Sequence, residues 1–230
     1  MAKRPIFLPI FDGKRFVLER YVEFQWHSGF AKSQKQKSIR DLHAMAKEKW
    51  GVTRPLEISS KSEDELGVAL SSFNLKFTTK KGLTLTVESA FQGSKVFVDG
   101  GPFRDIFFKK PMDAKRDERL KSSGDLIGFS FFNEEWRLEP KTAFYDWIYI
   151  NSLVKNESIS RKVVEIDCFT DIEFNPEKSI NCQARSAALY CALFHADKLD
   201  FALSSRANFR SLYAGRVSDP HHPPEERYLI

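Results

Sequence analysis

The apolar positions of this chain change period several times, and the changes mark its elements. Residues 5–26 hold two apolar runs separated by Asp12-Gly13, a tight-turn pair, and so predict a β-hairpin. In the second run Phe16, Leu18, Val22, Phe24 and Trp26 share one parity while Glu19, Glu23 and Gln25 take the other, the pattern of a strand with one buried face. A basic, glutamine-containing loop over residues 30–37 follows, and the period then becomes helical. Ser38 and Asp41 make a capping-box pattern, Ile39, Leu42, Ala46 and Trp50 recur at helical spacing, and Gly51 ends the element. Residues 56–80 alternate strand-like pieces with turns. Thr86 is placed to cap a helix reaching about Phe97, in which Glu88, Phe91, Gln92 and Lys95 form one stripe about 10 Å long.

Past the break at Gly100-Gly101-Pro102, helices are expected over residues 141–154 and 181–196. The first carries Phe144, Trp147, Ile148 and Leu153 toward a core; the second has Ala184, Ala187, Ala188, Cys191 and Ala192 for close packing. The β-branched run 162–169 predicts a strand, ending in an acidic loop that contains Asp171. The sum is an α+β chain, mostly helical, with a small sheet and an N-terminal β-hairpin.

Composition narrows the class. At 230 residues, 26.6 kDa and 42% hydrophobic, the chain suits one domain with one sizeable core. Within it, residues 1–55 form a hairpin and basic helix extension, 56–215 a core and 216–230 an extended, proline-containing tail. No apolar run approaches the roughly 20 residues of a membrane span, so a cytoplasmic protein is expected. Cys168, Cys182 and Cys191 are odd in number and lack close pairing, and the five histidines show no HExxH pattern. Buried thiols and no metal are the expectation.

Charge is uneven. Residues 32–54 carry seven basic side chains against two acids, a surplus equal to the whole formal charge of +5. Lys32, Lys35, Lys37, Arg40 and Lys47 are therefore candidates for sequence-tolerant contact with nucleic-acid phosphates, against the alternative of a solvated helix face. A second basic segment, residues 109–121, contains Arg116 and Arg119.

The stripe on the central helix is the clearest candidate chemistry. On spacing alone, an acid in the first turn and a base in the last do no more than complement the helix dipole. The residues around it add a resemblance. The order Ser71-Ser72-Phe73-Asn74 and then Thr86-x-Glu88-x-x-Phe91-Gln92-x-x-Lys95-x-Phe97 is similar to the NADAR superfamily, and residues 56–75 resemble the NADAR antitoxins paired with DarT-type DNA ADP-ribosyltransferase toxins.

That resemblance implies a single NADAR-like domain that removes ADP-ribose from guanine in DNA, in the bacterial cytoplasm, with the cognate toxin as functional partner. It implies no cofactor, ADP-ribose being product. The implied roles are Glu88 as acid/base, Lys95 as nucleophile through a Schiff base, and Asp171 as a secondary candidate for acid/base work or ribose contacts. Ser71, Phe73, Asn74 and Gln92 would position ribose or base. Arg116 and Arg119 would help hold the diphosphate. Trp136 matches a tryptophan of small NADAR enzymes, Tyr145-Asp146-Trp147 resembles the antitoxin subgroup's own signature, and Asn181 matches an Asn-initiated helix, although the family's late Trp-Gly pair and glycines are absent. Two alternatives stand beside this reading: an N-glycosidase acting on a small nucleotide-like metabolite, and a non-catalytic antitoxin that binds nucleic acid or toxin.

Overall fold

The computed structural model describes residues 1–11, 15–177 and 179–213. The predicted Asp12-Gly13 turn and the tail from residue 216 lie outside them. In chain order the elements are β1 (Ala2–Pro9), β2 (Val17–Phe24), α1 (Lys32–Trp50), β3 (Pro55–Glu57), α2 (Glu65–Leu70), β4 (Lys76–Thr78), β5 (Thr84–Thr86), α3 (Val87–Gly93) and β6 (Lys95–Phe97). After a 3-10 turn at Arg104–Phe108 come α4 (Pro111–Lys115), α5 (Arg119–Ser122), β7 (Leu126–Phe131), β8 (Glu134–Arg137) and α6 (Ala143–Val154). The chain closes with α7 (Glu157–Val163), β9 (Cys168–Thr170), α8 (Gln183–His195), α9 (Leu199–Ser204) and α10 (Arg206–Ser211). The fold is α+β, with helix outweighing strand.

The hairpin forms as its pattern predicts, from Ala2↔Phe24 to Pro9↔Val17. It joins a four-stranded sheet of order β2-β1-β9-β3, in which β3 and β9 run parallel and the other pairs antiparallel. Apolar residues fill both faces. Ile6, Val22 and Phe24 meet Ile39, Leu42 and Ala46 of α1 in one core, while Phe7, Val17 and Phe169 belong to a larger core around α6 and α8. Burial on two faces explains why neighbouring Ile6 and Phe7 are both sealed from solvent.

Four expectations need correction, the last of them the central helix. Helix α1 begins at Lys32 rather than Ser38, so the predicted basic loop is its first two turns. Ser38 is buried inside the helix, where its Oγ accepts from the His27 N–H at 2.9 Å and donates to the Gln34 carbonyl at 3.1 Å. It pins the incoming chain to the helix instead of starting it, and the Lys- and Gln-rich turns before it are good helix formers. Residues 162–169 are not one strand: α7 runs to Val163 and only three residues pair as β9. In residues 56–80, α2 replaces a strand-like piece, started by Asp64, whose carboxylate accepts from the Leu66 N–H at 2.8 Å.

The central helix stops sooner than its periodicity suggests. Thr86 caps it as expected, its side chain accepting from the Ser89 N–H at 3.1 Å. The helix ends at Gly93, where an added Cβ would lie 2.5 Å from the Phe107 ring. The Ser94 carbonyl then accepts from the Ser130 N–H at 2.7 Å, and Lys95, Val96 and Phe97 pair with β7. Strand pairing of a β-branched and aromatic run outcompetes one more helical turn. Lys95 therefore starts the outer strand of the β6-β7-β8 sheet and does not belong to the helical stripe.

Candidate active site

Glu88 lies in the first turn of α3 and is almost sealed from solvent, at 6% exposure. Two donors orient its carboxylate. Ser72 Oγ reaches Oε2 at 3.0 Å and Gln92 Nε2 reaches Oε1 at 2.9 Å. The Ser72 carbonyl also accepts from the Glu88 N–H at 3.0 Å, so the turn after α2 and the start of α3 hold one another. Charge-assisted bonds of this kind fix a carboxylate more firmly than neutral ones. Gln92 spends its amide N–H on Glu88, and its Oε1 is buried without a partner. A buried acceptor left open in this way is a place for a ligand's hydroxyl.

Lys95 Nζ lies 5.0 Å from the centre of the Phe91 ring and makes no hydrogen bond or ion pair within the described residues. Burial pulls its pKa below the ordinary lysine value; the Glu88 charge opposes that shift and Lys115 adds to it. A shift in that direction makes the nucleophilic free amine more accessible than in an exposed lysine. Lys115 also sits 5.4 Å from the centre of the Phe73 ring, which ties α4 and the Ser71–Phe73 turn to the same locale.

A second carboxylate group lies behind Ser72. The Gln183 side chain opens α8 and donates from Nε2 to the Ile58 carbonyl at 2.7 Å and to Asp171 at 3.0 Å, while its Oε1 accepts from the Ser72 N–H at 2.8 Å. A backbone N–H can only donate and a carbonyl only accept, so these two contacts decide which way the amide faces. Asp171 follows β9, as the acidic-loop reading expects, and is buried beside Glu57. Burial pushes its carboxyl up, and the Glu57 charge pushes it further, to about 8. Glu57 is raised by burial too, although Thr170 Oγ1 at 2.6 Å and the Ile172 N–H at 2.9 Å donate to it. Two adjacent buried carboxyls cannot both ionise cheaply.

A family model for the DarT1-associated NADAR antitoxin matches residues 2–223. The chain belongs to that family. Its role is thus that of an antitoxin in a DarT system, with a DarT toxin as functional counterpart. No match was found among curated proteins.

The NADAR antitoxin fold brings Ser71, Ser72, Phe73, Glu88, Gln92, Lys95 and Asp171 into one region through the contacts above. Ser71 acts through its backbone, whose carbonyl accepts from the Asn74 and Leu75 N–H groups, and Asn74 is exposed with Nδ2 on the Val68 carbonyl at 2.9 Å. Other candidates stand apart. Arg119 is held by Asp105 and Asp117, and Arg116 is exposed at the end of α4. The Trp136 indole packs on Phe144 and Trp147 in the core, and Trp147 meets Phe209 edge-on. Asp146 is buried in an ion pair with Arg185 at 2.9 Å and also accepts from Ser186 and Tyr213, an arrangement that ties α6 to α8. Asn181, just before α8, has a buried, unpartnered Oδ1.

Of the basic residues of α1, Lys35 lies over the Trp26 ring and Arg40 pairs with Glu63 at 2.8 Å, while Lys32, Lys37 and Lys47 face solvent. The three cysteines are buried free thiols, and no helix among the described residues is long and apolar enough to cross a membrane. Sequence reasoning overlooked Ser72, Gln183, Glu57 and Lys115 as participants. The one available signal was a polar residue, Gln183, in the first turn of an alanine-rich helix.

Proposed function

We propose that this antitoxin is an N-glycosidase that removes ADP-ribose from guanine in DNA. The observation that carries the reading is Glu88, clamped by Ser72 and Gln92, beside the desolvated and unpaired Lys95. Loss of a base from ribose builds positive charge at C1, which a fixed carboxylate stabilises. The Lys95 amine forms a bond to that carbon and gives up a proton to Glu88; the C1–N bond breaks, and its electron pair leaves with guanine. Glu88 passes the proton to the departing nitrogen. Opening of the ribose leaves an imine on Lys95, which water hydrolyses with Glu88 as base, releasing ADP-ribose and restoring the amine. The open Gln92 Oε1 accepts a ribose hydroxyl.

Incubation with an oligonucleotide carrying ADP-ribosylated guanine should return plain guanine and free ADP-ribose by mass spectrometry. The Glu88→Ala protein should lose this activity at least about a thousandfold, combining loss of acid/base and electrostatic help. Borohydride added during turnover should trap an ADP-ribose adduct on Lys95. Full activity in Lys95→Ala, or in Glu88→Ala, overturns the mechanism.

A further inference from the structure

A cavity of about 840 Å³ among the described residues has neither Glu88 nor Lys95 in its lining. It lies between the β6-β7-β8 sheet and α10, and its wall includes Val96, Ser130, Glu135, Arg137, Arg206 and Arg210. Lys95 turns toward Phe91, whereas the next residue, Val96, lines this cleft. The cleft and Lys95 thus adjoin at the same edge strand, and Phe129 and Trp136, in register with Lys95 across the sheet, also border the cleft.

Three guanidiniums against one carboxylate make the cleft cationic. Arg206 is partly committed, donating to the Glu135 carbonyl at 2.6 Å and lying 3.7 Å from Glu134. Arg137 and Arg210 are exposed and make no side-chain hydrogen bond or ion pair among the described residues. Such guanidinium forks match phosphate oxygens two at a time. Ile127, 55% exposed, gives the floor an apolar surface suited to sugars and base edges. Three strands spaced about 4.8 Å apart make that floor roughly 10 Å across, enough for about two or three phosphates of one strand.

We propose that this cleft is the track for the phosphate backbone of a single-stranded nucleic acid whose modified base enters the Glu88–Lys95 site. The inference rests on the proposed glycosidase reading for its direction: chemistry on a base requires that base to be unstacked, and a strand threaded past β6 meets that need. It also shifts the principal phosphate contact away from α1, two of whose five candidate cations are engaged within the protein.

Fluorescence anisotropy with an unmodified single-stranded oligonucleotide tests the track separately from turnover. Arg137→Gln/Arg210→Gln should weaken binding at least tenfold near physiological salt and make the salt slope shallower by about 1.4, two phosphate contacts at about 0.7 each. The triple variant Lys32→Gln/Lys37→Gln/Lys47→Gln should change it less than threefold. Both sets are exposed, so melting temperatures should match the parent. Unchanged affinity and slope in the Arg137/Arg210 protein, or loss confined to the α1 variant, overturns the proposal. If the parent fails to cleave any substrate, the glycosidase reading falls while the anisotropy result still decides the track.

Discussion

At the scale of single residues, the site depends on amide and hydroxyl groups that carry no charge. Gln183 connects Asp171 to Ser72, and Ser72 in turn holds Glu88. Gln183→Leu keeps the volume but leaves the Ser72 N–H and Ile58 carbonyl buried and unpaired, at about 1–3 kcal/mol each. Its turnover should fall more than tenfold with stability reduced, whereas Gln183→Glu should restore neither, since a carboxylate cannot donate to the Ile58 carbonyl. Activity assays paired with urea titrations of both variants check this. Asp171 adds a pH dependence with a definite sign. Its folded pKa, about 8, lies above the unfolded value, so the folded state holds a proton that the unfolded chain has released. Stability from this group is fully present below about pH 4 and declines as pH rises toward 8. The urea midpoint should fall between about pH 5.5 and about pH 8.5, and Asp171→Asn should flatten that decline.

Among the elements, α2 and α3 are short, and each is positioned by a glycine. A Cβ on Gly67 would lie 2.0 Å from the Glu57 carbonyl oxygen, which shows how tightly α2 packs on β3 just ahead of Ser71 and Ser72. Gly67→Ala must move backbone against backbone and should cost at least about 2 kcal/mol. In a chain of this length that is a fall of about 4–8 °C in melting temperature, readable by calorimetry, with turnover reduced because Ser72 moves with α2. A melting temperature within one degree of the parent would mean that the packing around Gly67 is looser than its contacts imply.

Across the whole molecule, one sheet is shared by two cores. Cys168 packs on the α1 side and Phe169, the next residue, on the α6–α8 side, so β9 belongs to both. The N-terminal 55 residues are therefore expected to unfold with the rest. Leu42→Ala opens a cavity in the smaller core and should cost about 2–5 kcal/mol. Denaturation should stay a single transition, coincident for probes of Trp26 beside α1 and Trp50 at its end and of Trp136 and Trp147 in the larger core. Two separated transitions would divide the chain into independent units.

The local pattern determined the hairpin, the two long apolar helices α6 and α8, the Thr86 cap and the segment that carries Glu88, Gln92 and Lys95, because parity, capping and helical spacing act over a few residues. The family motif lay in the same stretch. The tertiary structure alone decided that Lys95 leaves the helix for a strand, since the competing partner, β7, lies some thirty residues away in sequence. It also decided that Asp146 meets Arg185, that Gln183 reaches Ser72, and that Arg137 and Arg210 share a cleft. Each of these pairs residues dozens of positions apart, and burial, which pushes the Asp171 carboxyl up and the Lys95 amine down, is a property of the packed chain rather than of any window within it. Glu88 and Lys95 are thus brought near one another by a helix and the strand that follows it, not by one helical stripe.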